Sequence, residues 1–347
     1  MKKLFLLSLT FLAFVSCETS DVENQLNNPS TAHIYAVGAN GNSEGFINKD
    51  GAYTSLGTNY LPFDVFVSGN DVYTCGNKDN IAAYSKNGMF TLLSSTSGDH
   101  AYKMFVKDND VYIVGQKDNH PAYWKNGILT YLNNDPNYTG VAYDIEIKNN
   151  DVYIAGCNYP TGSSNYTIAY WKNGNITTIN SNHTYSCGYV GEVSIAVNNN
   201  DVYLSVNERD GSSSIFNSNA YLIKNGVIET LIASNAEVHD IYISNGDIYL
   251  CGDKIDAQGV PNKSVVWKNG NSVTEKNVEH GAFTSMYVSN NNIFAVGIES
   301  NLVSPNPLPF GTRENHGTTL INNVFSINPD FGAAGIGYGF TSMFVTE

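Results

Sequence analysis

Three carboxylates and three hydroxyls recur at one equivalent position of a repeated, strand-like segment. They are Asp64, Asp144, Ser194, Asp240, Ser285 and Ser342, and Lys103 occupies the same position in one further copy. If the segments surround a common axis, oxygen atoms of this kind could hold a cation or a polyol. Alternatively, the side chains hydrogen-bond the starts of neighbouring strands and so close a ring. Both interpretations stay open, and these six acidic and hydroxyl residues are the candidate binding site.

A second set of aspartates recurs in the sequence Asn-Asp-Val-Tyr and its close variants. Its members are Asp71, Asp110, Asp151, Asp201 and Asp247. A repeated carboxylate suggests a set of metal ligands. However, these residues fall in turns, where Asp and Asn side chains commonly hydrogen-bond the backbone. We therefore predict that they stabilise turns.

Several histidines and carboxylates fall in the connections between strand-like segments, and a general acid/base pair could be drawn from them. They include His100, His239, His280, Asp253 and Glu279. No motif selects such a pair, and no Cys/His cluster has the spacing of zinc ligands. The sequence therefore predicts no catalytic residue, no metal and no cofactor.

These residues are embedded in a repeat. Asn-Asp-Val-Tyr at 109–112 is followed by Tyr-Trp-Lys-Asn-Gly at 123–127, and related pairs recur along the chain, giving seven copies. A repeat of about forty residues with strand-like patterning is typical of a propeller blade. Each copy divides into four short strands separated by Asn- and Gly-containing turns. The copies therefore predict an all-β, seven-bladed β-propeller of four-stranded antiparallel blades.

The connections within each copy differ in how much their lengths vary. The turns between strands one and two and between strands three and four are nearly constant, whereas the other two connections vary widely. In an up-and-down blade these two sets lie at opposite ends. We call the ends the uniform face and the loop-rich face. Variable loops on a rigid scaffold commonly carry binding sites, so we expect the candidate residues near the channel mouth on the loop-rich face.

The two ends of the repeat region predict how the ring closes. The segment 33–38 reads as a second strand with no first strand before it, and the segment 341–345 resembles the first strand at 284–288. We therefore expect the C-terminal strand to supply the innermost strand of the first blade. Closure of this kind leaves no free sheet edge between the first and last blades.

Cysteine positions favour one disulfide. Cys157 and Cys187 both fall on the loop-rich face of the fourth blade, so we predict that they pair. The alternative is two unpaired thiols on one face. Cys75 and Cys251 occupy equivalent positions in distant blades, where they cannot reach one another. We expect these two to remain reduced as small core residues.

The N-terminus has a basic start, an apolar run and a small residue before Cys17. Residues 14–17 resemble the lipobox of bacterial lipoprotein signal peptides, which implies cleavage before Cys17 and lipid on that residue. The domain prediction is a signal peptide at 1–17, a flexible tether at 18–31 and the propeller at 32–347. The net charge of −14 makes nucleic acid an unsuitable partner and leaves the lipid as the membrane contact.

The repeated sequences resemble those of secreted Bacteroidota β-propeller lipoproteins of unassigned function. Acidic residues after Cys17 resemble the surface-export signal of such lipoproteins. The resemblance implies a lipid-anchored outer-membrane protein at the cell surface. Because propellers host many activities, it does not imply a reaction.

The leading hypothesis is therefore a non-enzymatic binding or scaffold module that engages a glycan, a peptide or an envelope protein through the loop-rich face. One alternative is a glycan-active hydrolase or lyase on the same face. Another is a purely structural subunit of an envelope complex.

Overall fold

A computed structural model describes residues 32–40, 43–163, 166–180, 183–187, 191–209, 218–304, 312–327 and 340–346. These residues form seven antiparallel sheets of four strands each, arranged in a ring as a seven-bladed β-propeller. The predicted fold is confirmed. The signal peptide, Cys17 and the tether lie outside the described residues. Within the described part, no helix is long and apolar enough to cross a membrane.

The strands follow one another through the ring in chain order. Blade 1 holds β1 (His33–Ala39), β2 (Glu44–Lys49), β3 (Ala52–Thr58) and the C-terminal β28 (Phe340–Thr346). Blade 2 holds β4 (Tyr60–Ser68), β5 (Asp71–Lys78), β6 (Ile81–Lys86) and β7 (Met89–Leu92). Blade 3 holds β8 (His100–Lys107), β9 (Asp110–Lys117), β10 (His120–Lys125) and β11 (Ile128–Tyr131). Blade 4 holds β12 (Tyr138–Lys148), β13 (Asp151–Pro160), β14 (Thr167–Lys172) and β15 (Asn175–Thr178).

The remaining three blades complete the ring. Blade 5 holds β16 (Val193–Asn198), β17 (Asp201–Arg209), β18 (Ser218–Lys224) and β19 (Val227–Ser234). Blade 6 holds β20 (Ala236–Ser244), β21 (Asp247–Ile255), β22 (Pro261–Lys268) and β23 (Asn271–Asn277). Blade 7 holds β24 (Gly281–Ser289), β25 (Asn292–Ser304), β26 (Thr312–Ile321) and β27 (Val324–Ile327).

Ring closure follows the predicted route. The C-terminal strand β28 pairs antiparallel with β1, for example Tyr35 with Phe344. Thr341 Oγ1 also donates to the carbonyls of Val37, at 3.1 Å, and of Pro62, at 2.9 Å, in blade 2. The last strand is therefore joined to both of the first two blades.

The turns on the uniform face have one common form. Each connects its strands through two residues, such as Asp108 and Asn109 or Asn126 and Gly127, and these four residues have positive φ angles. Asn, Asp and Gly tolerate this conformation, which matches the twist of the flanking strands. The repeated Asn-Gly and Asp-Asn pairs therefore set the register of the blades.

The loop-rich face is less irregular than its sequence suggests. In blades 2 and 3 the connection between the second and third strands is also a two-residue turn, at Asp79–Asn80 and Asp118–Asn119. In blades 4 and 7 much of the extra length extends the paired strands, so that β25 reaches Ser304. The main-chain groups of these extensions pair with one another instead of forming open loops.

The core lies between neighbouring blades. The indole rings of Trp124, Trp171 and Trp267 are at most 2% exposed. Trp124 of blade 3, for example, belongs to one buried cluster with Tyr73 and Cys75 of blade 2. The repeated aromatic residues thus pack blade against blade, where their large apolar area contributes most to stability.

The repeated Asp-Val-Tyr and Tyr-Trp-Lys-Asn-Gly sequences are explained by one network on the uniform face. In blade 3, Asp110 accepts hydrogen bonds from Asn126 at 2.8 Å and from Lys125 at 2.7 Å. The Lys125 ammonium also lies 5.0 Å from the centre of the Tyr112 ring. Asn126 Oδ1 accepts from the Val111 amide at 2.8 Å. Blades 2, 4, 5 and 6 repeat this arrangement. The aspartates therefore stabilise the turns as predicted, but through Asn and Lys side chains, while the Asn makes the hydrogen bond to the backbone.

Candidate functional site

The residues predicted to surround the channel mouth lie within the innermost strands and not at their starts, as Asp64 does in β4 and Asp144 in β12. We call these six residues, together with Lys103, the polar ring. Most innermost strands carry a β-bulge just before the polar-ring residue, as between Ala101 and Lys103 or between Val238 and Asp240. A bulge re-aims the next side chain. A glycine faces each of these bulges because the backbone of the opposite strand comes too close for a side chain. A Cβ on Gly115, for example, would lie 1.9 Å from the His100 carbonyl oxygen.

Asp64 shows how the polar ring joins the blades. Its Oδ2 accepts from the Met104 amide of blade 3 at 2.9 Å. Its Oδ1 accepts from Ser342 of blade 1 at 2.5 Å and lies 3.4 Å from the Lys103 ammonium. Asp64 is only 2% exposed. This one carboxylate therefore connects three blades.

The other two aspartates repeat the pattern. Asp144 accepts from the Ile195 amide of blade 5 at 2.8 Å. Asp240 accepts from the Met286 amide of blade 7 at 2.9 Å and from Ser285 at 3.1 Å. These are the contacts expected for ring closure.

The predicted hydroxyls serve adjacent blades. Ser194 donates to the His239 carbonyl at 3.0 Å, and Ser285 accepts from the Met343 amide at 3.4 Å. Polar-ring hydrogen bonds thus link each neighbouring pair of blades except blades 3 and 4. Direct ligand binding by the six residues remains a prediction, because all the contacts seen here are internal.

Lys103 places the one positive charge in the polar ring. Burial by itself would lower the pKa of Lys103, but the carboxylates of Asp64, Asp240 and Asp144 together raise it above the ordinary value. Lys103 therefore stays charged. Its side chain is 28% exposed and borders the cavities on both sides of the ring.

Asp144 has a pKa far above that of an ordinary aspartate. Burial raises its pKa to about 7; the nearby Lys103 lowers it and Asp240 raises it. Burial also raises the pKa of Asp240, again against the effect of Lys103. The raised pKa values therefore favour protonation of at least one of the polar-ring aspartates beside the charged Lys103.

This charge state predicts a pH dependence. Because the pKa of Asp144 is higher in the folded than in the unfolded state, the stability it contributes is present at acid pH and is lost as the pH rises through about 7. Relative to Asp144→Asn, the wild-type free energy of unfolding should fall by on the order of a few kcal/mol between about pH 4 and pH 7. Urea unfolding at a series of pH values measures this. Parallel curves for the two proteins would contradict it.

The polar ring separates two cavities on the propeller axis. The cavity on the loop-rich side, the mouth, has a volume of about 30 Å³. The cavity on the other side, the channel, has about 380 Å³. The mouth offers room on the scale of one water molecule, so a larger ligand on this face lies across it.

An aromatic layer in the channel was missed by the sequence interpretation. It consists of Phe105, Phe66, Phe344, Tyr287 and Tyr242, each two residues after a polar-ring residue. Successive rings in this order have centroids 5.1, 4.5, 6.1 and 4.9 Å apart. The period-two alternation of a strand, counted from the polar-ring residues, was the signal that could have identified them.

The mouth itself has two chemically different sides. On one side lie the half-buried rings of Phe63 and Tyr102, 5.4 Å apart, and His100 stacks on Tyr102 at 5.3 Å. The other side is formed by His239, whose Nε2 lies 2.8 Å from Asp253 Oδ1. Burial by itself would lower the pKa of His239, but Asp253 and neighbouring acids raise it overall.

The fourth blade is fastened close to the mouth. Cys157 and Cys187 form a disulfide with Cα atoms 6.5 Å apart, which is the pairing expected from the sequence. Cys157 lies within β13 and not at the start of a loop, since that strand continues to Pro160. The Cys187 carbonyl accepts from the Tyr143 hydroxyl at 3.3 Å. Cys75 and Cys251 are buried and unpaired.

No family model and no curated protein matches this sequence. Among solved structures, an ulvan lyase of a polysaccharide lyase family is similar over 77% of this chain and 82% of its own, with 12% identity and a TM-score of 0.48. The β-propeller domain of the Trilobed protease from Pyrococcus furiosus is similar over 87% of this chain and 93% of its own, with 10% identity and a TM-score of 0.47. At these levels the likeness carries no information about ligand or activity.

Proposed function

We propose that this protein is a lipid-anchored binding module of the outer membrane, displayed at the cell surface, and that it engages a glycan through its loop-rich face. The observation that supports this most is the composition of the mouth. The half-buried aromatic rings of Phe63 and Tyr102 border the same narrow opening as His239. Aromatic faces pack against the apolar face of a sugar ring, and polar side chains beside them can hydrogen-bond its hydroxyls.

The polar ring makes this surface rigid. Because Lys103, Asp144 and Asp240 lie between the mouth and the channel, a glycan chain would lie across the mouth without entering the channel. Sites of this shape suit an extended ligand held by several contacts. A peptide or an envelope protein that presents similar groups is the alternative ligand.

A catalytic alternative, a glycan hydrolase or lyase, draws on one specific observation. Glu237, His239 and Asp253 bring a histidine and two carboxylates together, and such groups can act as general acid and base. Of the three, His239 borders the mouth. We favour binding without catalysis because Asp253 is 1% exposed and its pairing to His239 withdraws it from a ligand lying above.

The experiment combines a glycan and peptide array with a cleavage assay. Purified protein without its lipid should bind a glycan on the array, and Tyr102→Ala should lose that binding. Prolonged incubation with the bound glycan should leave its length unchanged by chromatography. Cleavage that is abolished in His239→Gln would establish the enzymatic alternative, whereas binding confined to peptides would overturn the choice of a glycan.

The anchor is tested separately in cells. Cys17→Ala removes the acylated residue, so the protein should move from the outer-membrane fraction to a soluble fraction. Protease added to intact cells should degrade the wild-type protein if it is displayed outside. Retention of the variant in the membrane fraction would contradict lipid anchoring.

A further inference from the structure

We infer that Glu237, His239 and Asp253 form a binding site for one divalent transition-metal ion, with Zn²⁺ the best fit. The ligand atoms of these three residues all lie within 4.8 Å of one another. Across the described ranges no other group of three histidine, cysteine or acidic residues meets this condition. The inference goes beyond glycan binding, because metal binding can be measured without any glycan.

An unpartnered oxygen points independently to a ligand. Asp253 is 1% exposed, and its Oδ1 pairs with His239 Nε2, but its Oδ2 is buried without a hydrogen-bond partner. A buried carboxylate oxygen without a partner destabilises the fold, and such groups are rare in native structures. A metal ion bound beside His239 would satisfy it.

The backbone places the three residues with little freedom. Glu237 and Asp253 are direct cross-strand partners on β20 and β21, so their side chains leave the sheet side by side. His239 lies at the bulge before Asp240, and its carbonyl accepts from Ser194. Gly191, at a φ of 88°, lies against His239, since a Cβ there would be 3.5 Å from Nδ1. One ring nitrogen therefore packs against blade 5 while the other faces the carboxylates.

The donor set selects the metal. One imidazole nitrogen and two carboxylate oxygens suit zinc, whereas calcium requires about six to eight oxygen ligands. Three protein ligands leave a fourth zinc position open, as in sites that exchange a water for another molecule. His239 borders the mouth, so a metal held by it would lie close to a ligand bound there. Sequence spacing could not predict this site, because its members meet only through strand pairing.

The test is calorimetric titration of the folded, disulfide-intact protein with ZnCl₂ after chelator treatment. We expect one equivalent to bind, and His239→Gln or Asp253→Asn to weaken binding at least about 100-fold. Glu237→Gln, an isosteric change on a half-buried strand position, should weaken it at least about tenfold. Calcium chloride should give no comparable binding. Circular dichroism melts of each variant establish that it is folded.

The matched control is His183→Gln. His183 Nδ1 lies 2.5 Å from Glu208 Oε1, a histidine–carboxylate pair like that of His239, but it belongs to no three-residue group within the described residues. This variant should bind zinc as the wild type does. Absence of saturable zinc binding, or equal binding by wild type and His239→Gln, would overturn the inference. Cobalt(II) titration tests whether the buried thiols Cys75 and Cys251 bind the metal instead. If no sulfur-to-metal charge-transfer band develops, they are excluded as ligands.

Discussion

Deleting residues 341–347 should abolish cooperative folding of the whole propeller. The deletion removes most of β28, in which Met343 and Val345 are at most 6% exposed, and it leaves β1 without its inner partner. Burial of these side chains contributes about 1.5–3 kcal/mol each, and the lost strand hydrogen bonds add to this. The sum approaches the roughly 5–15 kcal/mol by which a typical domain is stable. Thermal melting followed by circular dichroism would measure the effect.

A synthetic peptide of residues 340–347 provides the control for this deletion. Because β28 joins blade 1 from the far end of the chain, the peptide should restore a cooperative transition when added to the truncated protein. A peptide of scrambled sequence should not. A truncated protein with an unchanged melting temperature would contradict closure through the C-terminal strand.

Asp64→Ala should give the largest loss of stability of any single polar-ring substitution. It removes the partner of the Met104 amide, the Ser342 hydroxyl and the Lys103 ammonium at once. Removing one member of a buried ion pair typically costs about 3–5 kcal/mol, because the remaining charge is left uncompensated. Chemical denaturation, with the free energy extrapolated to water, is the measurement.

Asp71→Ala is the matched control, since Asp71, like Asp64, contacts one lysine and one further polar side chain, here Lys86 and Asn87. Asp71 lies on the uniform face with a side-chain exposure of 36%. Exposed ion pairs contribute about 0–1 kcal/mol, so this loss should be much smaller than that of Asp64→Ala. Losses of equal size would show that the polar ring has no special part in holding the blades together.

The fold could be predicted from sequence because its signals are local and repeated. The Asn-Asp-Val-Tyr and Trp-Lys-Asn-Gly sequences and their variants specify turns and strand spacing in the successive copies, so one pattern predicts all the blades. The similarity of 341–345 to 284–288 was enough to place the last strand in the first blade. The structure adds the reason that the repeated Lys is present, namely its contacts with Asp110 and Tyr112 and their equivalents.

The candidate site was less predictable because it depends on distances around the ring. Equivalent positions identified Asp64, Asp144 and Asp240, but not that each would accept the main-chain amide of the next blade. Nor could sequence place His239 beside Asp253, since a bulge decides the direction of that side chain. Sequence analysis also did not identify the aromatic residues that face the channel, such as Phe105 and Phe66.

Two residues of one strand, on opposite sides of the polar ring, allow the most direct test of glycan binding at the mouth. Tyr102 borders the mouth and Phe105 lines the channel, both on β8. With the glycan found on the array, isothermal titration of both alanine variants against the wild type should show at least about a tenfold loss for Tyr102→Ala, equivalent to about 1.4 kcal/mol. Phe105→Ala should bind as tightly as the wild type. A loss confined to Phe105→Ala would place the ligand in the channel and contradict the proposed function.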